Sequence, residues 1–203
     1  MRAMSRAVAV AALHILLISS LGAKLLYDRR TCPQAWFKTR QYDPNLPIRG
    51  RYISLQVEVR DPRSPEEIES KFGNEIKSQE NARKQFSWRG PLDFGRECGS
   101  IAVRDGVPIA ALDQTGLYGP DSPMGYCANL TFQRQRSDDG NTVLRVQEPV
   151  LYFIPDTADV PTRTRDGAEL WVLATVPRKG PPRPIALGVK KAGANEIQRL
   201  GID

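Results

Sequence analysis

The side chains that most often carry enzymatic chemistry are sparse in this chain and poorly placed for it. The only histidine, His14, falls inside an apolar N-terminal segment. Ser–His, Cys–His and histidine–zinc chemistry are therefore closed to the rest of the protein. A lone polar residue in such a segment suits either a contact with a partner helix or a passive position near the surface. Serine and lysine both occur, which leaves a Ser–Lys hydrolase formally open. No serine stands in an S-x-x-K arrangement or a nucleophile elbow, and Lys71, Lys77 and Lys84 share one helical stretch. Adjacent carboxylates, the raw material of acid–base catalysis, occur at Asp138 with Asp139 and Glu66 with Glu67. The first pair marks a turn and the second a helix start. Asn129-Leu-Thr131 matches a glycosylation sequon, which has meaning only in a eukaryotic secretory pathway.

Three cysteines, Cys32, Cys98 and Cys127, show no CxxC or metal-like spacing. In an oxidising compartment two can pair and one is left over. Cys98 and Cys127, both near glycines in the globular part, are the expected pair; three unpaired thiols are the alternative. Cys32 would then stay free or bond to another chain. The formal net charge is +6. The basic clusters Arg163-Thr-Arg165 and Pro177-Arg-Lys-Gly-Pro-Pro-Arg183 lack interleaved aromatics and lie in Pro/Gly loops, whereas a nucleic-acid footprint is a stripe along one face. The expected partner is a membrane with anionic headgroups, not nucleic acid, and no cofactor is implied.

The elements that must position these residues begin with the apolar segment. Residues 7–23 hold 17 positions without a charge, preceded by Arg2 and Arg6 and followed by Lys24, Leu25, Leu26 and Tyr27. A span needs roughly 20 helical residues, and Lys24 can reach the headgroups, so residues 1–27 read as a signal-anchor. A cleaved secretory signal is the rival, but cutting after Ala23 puts Leu21 where a small residue belongs; Ser20-Leu21-Gly22 is only tolerable. Charges on the two sides nearly balance. The short tail and the long following domain favour N-inside, C-outside. About 175 residues remain, enough for one domain with its own core.

Residues 28–48 read as a juxtamembrane linker with Trp36 and Phe37 at the interface, and 49–203 as the extracytoplasmic domain. Residues 51–59 alternate, with Ile53, Leu55, Val57 and Val59 on one face, which predicts a half-buried strand. Ser64-Pro65-Glu66-Glu67 combines a cap, a first-turn proline and a capping-box acid. Ile68, Phe72, Ile76 and Phe86 then make a thin apolar stripe, so a peripheral helix is expected over about 65–86. Beyond Gly99, strands are predicted at 100–103 and 107–112 around Asp105-Gly106, and at 126–134 and 142–146 around Asp138-Asp-Gly-Asn141. Further strands are expected at 150–154, 169–176 and 184–189. The fold class is mainly β: one N-terminal transmembrane helix, then a small antiparallel barrel or sandwich with one peripheral helix.

One stretch carries more. Gly50-Arg-Tyr-Ile-Ser-Leu-Gln-Val57 resembles the signature Gly-Asp-Tyr-x-x-Leu-x-Tyr of the bacterial GDYXXLXY family. As in that family, an Asp-Pro (Asp43-Pro44) precedes the motif and an arginine (Arg49) directly precedes its glycine. Leu151-Tyr-Phe-Ile-Pro155 is similar to a late family segment. Arg51 stands where the family has Asp, and Val57 where it has Tyr. The resemblance implies a membrane-anchored envelope protein of the bacterial inner membrane, often associated with polytopic membrane proteins. It supplies no catalytic residue. On physical grounds Gly50 permits a sharp turn at the strand start, while Tyr52 and Leu55 lie on opposite faces. Arg49, Arg51 and Tyr52 are the candidate binding surface. The expected function is a binding or accessory module for an envelope partner rather than an enzyme; an anchored hydrolase with an unrecognised site and a plain spacer are the alternatives. An exposed apolar patch beside the motif would favour the module, and a deep polar pocket the hydrolase.

Overall fold

The computed structural model describes residues 2–42, 51–86, 92–113, 127, 129–136, 141–154 and 168–201. The chain divides into two compact units, Met1–Pro33 and Gln34–Asp203. The first is helix α1, Arg2–Thr31. Within it Val8–Thr31 is long and apolar enough to cross a membrane; at 1.5 Å per residue its 24 residues span about 36 Å. Two of its polar side chains find partners in their own helix. His14 Nδ1 lies 2.8 Å from the Val10 carbonyl, and Ser20 Oγ donates to the Leu17 carbonyl at 2.8 Å.

The second unit is mainly β. Its strands are β1 (Gln34–Tyr42), β2 (Arg51–Val59), β3 (Leu92–Arg104), β4 (Val107–Leu112), β5 (Leu130–Arg136), β6 (Thr142–Val146), β7 (Val150–Ile154), β8 (Glu169–Thr175), β9 (Arg183–Lys190) and β10 (Gln198–Arg199). Helix α2 is Pro65–Phe86. The strands run antiparallel in the order β10-β9-β8-β1-β2-β6-β5-β3-β4. Strand β2 forks: Arg51 to Leu55 pair with β7, and Glu58 and Val59 pair with β6. The result is a curled half-barrel. Its hollow side holds Phe37, Leu55, Val57, Phe132, Leu144, Val146, Val172 and Leu187, all fully buried.

Local signals explain most elements. The Asp105-Gly106 turn has positive φ at both residues (51° and 76°), as a two-residue hairpin requires. The capping box closes as expected: Ser64 N–H donates to Glu67 Oε2 at 2.9 Å, and Glu67 N–H to Ser64 Oγ at 3.3 Å. Helix α2 buries Ile68 and Ile76, with Phe72 partly covered, against Leu92 and Phe94 of β3.

One expectation is corrected. Residues 28–48 are not a linker throughout, because 34–42 form β1, a central strand between β8 and β2. Ala35, Phe37 and Thr39 alternate into the core, and the hydroxyl of Thr39 donates to the Leu170 carbonyl. Trp36 and Phe37 therefore sit on opposite faces of a sheet, and their nearness to a membrane segment had disguised the period of two. Strand β3 also runs further back than its predicted start, to Leu92, across a register shift between Phe94 and Arg96.

Candidate functional site

Of the motif, Asp43, Pro44, Arg49 and Gly50 lie outside the described residues. Arg51 and Tyr52 open β2, opposite Ile154 and Phe153 of β7. Leu55 is fully buried, with Gln41 of β1 and Val150 of β7 as its neighbours across the strands. The described part of the motif is thus a core strand. Cys98 and Cys127 are joined by a disulfide that ties β3 to the segment entering β5, and Cys32 is a free thiol.

Sequence reasoning missed the most heavily built polar site, which centres on Arg134. One rung of the sheet runs Val59, Leu144, Arg134, Phe94 across β2, β6, β5 and β3, all on the concave side. Arg134 therefore points inward at the seam between the main core and the α2 cluster, with none of its side chain exposed. Such a charge must be matched on the spot. Its Nε donates to Asp61 Oδ2 at 2.6 Å, and Nη1 pairs with Glu97 Oε2 and reaches the Gly95 carbonyl at 3.4 Å. The guanidinium also lies over the Phe72 ring of α2, 4.6 Å from its centre.

Glu97 gathers three cations. Arg63, just after β2, grips it with both terminal nitrogens at 2.6 and 2.8 Å, and Lys71 of α2 adds a contact of 2.6 Å. Burial alone would raise the pKa of this carboxyl, but Arg63, Lys71 and Arg134 outweigh it and lower the pKa to about 2. Glu97 is accordingly a permanent anion at neutral pH, not a general base. The same bond raises the already high pKa of Arg63.

Gly95 makes this geometry possible. It adopts φ +57° at the bulge, and a Cβ there would lie 2.8 Å from the Phe72 ring. Glu75 of α2 accepts the Gly95 N–H at 3.2 Å, and Gln79 of α2 donates to the Asp93 carbonyl. A second network lies on the convex side, where the rung Glu58–Arg145–Gln133 crosses β2, β6 and β5. Glu58 faces Arg40 at 3.3 Å and Arg145 at 3.7 Å. Burial and the charge of Arg40 pull the Arg145 pKa down, against Glu58 and Asp93. Gln135 links Arg145 to Asp93. Among the described residues no group of three or more His, Cys, Asp or Glu side chains is arranged to hold a metal ion.

Asp61 and Glu97 in the first network and Glu58 in the second are answered by arginine or lysine, so both act as clamps: the first fastens α2 to the bulge of β3, the second links β1, β2, β6, β5 and β3 from outside. On the β7 side of the motif strand, two large apolar side chains face solvent. Leu151 and Phe153 of β7 are 55% and 57% exposed, and they stand opposite Ser54 and Tyr52 of β2. No family model matches the chain, and neither a curated protein nor a solved structure matches it.

Proposed function

We propose that this protein is a single-pass membrane protein of the bacterial envelope whose β unit lies outside the cytoplasm and serves as a binding or accessory module for an envelope partner. The observation that carries the module reading is the exposed pair Leu151 and Phe153 beside the motif strand. Two large apolar side chains in register on one face of a strand lose unfavourable hydration when a partner covers them. The membrane-length helix supports the anchor. The Cys98–Cys127 disulfide supports an oxidising compartment and, through it, the N-inside, C-outside reading. The resemblance of residues 50–57 to the GDYXXLXY signature supports the bacterial inner membrane and a polytopic partner.

The test is crosslinking in native membranes, comparing wild type with Leu151→Ser/Phe153→Ser. Both positions are solvent-facing, so melting should change little. The double variant is expected to lose the crosslinked species that wild type forms. An unchanged crosslinking pattern rejects this surface as the partner site. Resistance to alkaline carbonate extraction, with protease access only from the extracytoplasmic side, checks the anchor and its orientation separately.

A further inference from the structure

The sheet register places a basic turn at the end of the β unit where the chain arrives from the helix. Only Cys32 and Pro33 separate Thr31, the last residue of α1, from Gln34, the first of β1. Three residue steps reach at most about 10 Å. Gln34 pairs with Thr175, the last residue of β8, and Thr175 pairs with Arg183, the first of β9. The β8–β9 turn, residues 176–182, is thus at the anchor end of the sheet by hydrogen-bonded register alone. It lies about 5–10 Å to the side of Gln34 at the usual strand spacing.

This turn is both cationic and held in place. From Val176 to Lys191 the chain carries Arg178, Lys179, Arg183, Lys190 and Lys191 and no acid. Val176, Pro177 and Pro182 are buried, whereas Arg178 and Lys179 are exposed at the tip. Gly180 has φ +84°, and its N–H donates to Asn129 Oδ1 at 2.8 Å. Asn129 itself is two residues from Cys127, which the disulfide ties to β3. Helix α1 closes with Arg29 and Arg30 in its last turn. Little backbone freedom remains to be frozen when such a tip meets a surface.

We propose that the 176–182 turn is a headgroup-binding element: Arg178 and Lys179 contact the phosphates of anionic phospholipids in the leaflet from which α1 emerges. The reading rests on α1 being a membrane anchor. Each cation near an anionic surface strengthens association about fivefold, within a Debye length of about 10 Å. The turn would hold the β unit close to the bilayer instead of leaving it to swing on its two-residue connection.

The experiment uses the full-length chain in nanodiscs of phosphatidylcholine alone or with phosphatidylglycerol, reading amide hydrogen exchange across residues 176–183. Exchange should be about fivefold slower or more in the anionic discs, and the difference should vanish in Arg178→Gln/Lys179→Gln and at about 1 M salt. Equal exchange in both disc types overturns the proposal. So does equal protection in phosphatidylcholine discs supplied with inorganic phosphate, which would make the turn a free-anion site. Co-elution of protein and disc in every arm reports the anchor independently. Loss of co-elution would sink the anchor reading and this proposal with it, whereas retained co-elution with unprotected amides sinks the proposal alone.

Discussion

Arg134 shows what a single side chain decides in this protein. Three of its neighbours are charged or aromatic groups from distant sequence, Asp61, Glu97 and Phe72; without the guanidinium Asp61 loses its ion pair, and Glu97 is left to Arg63 and Lys71. Arg134→Ala should cost about 3–5 kcal/mol in chemical denaturation, the usual result of breaking a buried pair from one side. A loss below about 1 kcal/mol would mean that Arg63 and Lys71 suffice for Glu97 and that Asp61 is hydrated. The Glu97 carboxyl has a folded pKa of about 2, well below its unfolded value. A depressed acid stabilises the fold above its unfolded pKa, and that contribution disappears as pH falls through the folded one. Stability should therefore drop between about pH 5 and pH 2 by on the order of 2 kcal/mol from this group, and Glu97→Gln should flatten that slope. Thermal melts across that range check the sign and the size.

At the scale of elements, the joint between α2 and β3 is the informative one. A helix that buries two isoleucines fully is weakly held by apolar contact, so the bulge at Gly95 and the polar groups around it must contribute. Gly95 and Gly106 offer an internal control. Both have positive φ, but a Cβ at Gly106 meets nothing, whereas one at Gly95 would meet the Phe72 ring at 2.8 Å. Gly106→Ala should cost about 1 kcal/mol, the strain of a left-handed alanine. Gly95→Ala should cost about 2–3 kcal/mol, because Phe72 must move as well. Hydrogen exchange in Gly95→Ala should rise first in α2. Equal losses in the two variants would show that the ring contact adds nothing to backbone strain.

For the whole molecule, the disulfide sets how far the β unit can loosen. Cys98 and Cys127 are 29 residues apart, and opening a loop of that length is worth about 3–4 kcal/mol in the chain-entropy description. Reduction, or Cys98→Ser/Cys127→Ser, should lower the denaturation midpoint accordingly. It should also loosen the basic turn, since Asn129 is held beside the bridge and accepts the Gly180 N–H. A midpoint unmoved by reductant would mean that the strands around β3 close that loop without help. Membrane attachment should be indifferent to the same treatment, because α1 is a separate compact unit.

The elements governed by local physics were legible in the chain itself. Residues 7–23 are long and uncharged, the Ser64–Glu67 box caps its own helix, and Asp105-Gly106 turns its own hairpin; each needs only neighbours within a few residues. The mainly β character followed from alternation that any strand must show when one face is buried. Tertiary structure decided what depends on partners far along the chain. The alternation of Ala35, Phe37 and Thr39 acquires meaning only when β8 and β2 flank it. Leu130, Phe132 and Arg134 share one phase, so the pattern itself marks Arg134 as inward. Nothing local reveals that Asp61, 73 residues away, and Glu97, 37 away, make that burial tolerable. The same holds for the turn at 176–182: its charge is written in the sequence, but its place beside Gln34 exists only through the pairing of β1, β8 and β9.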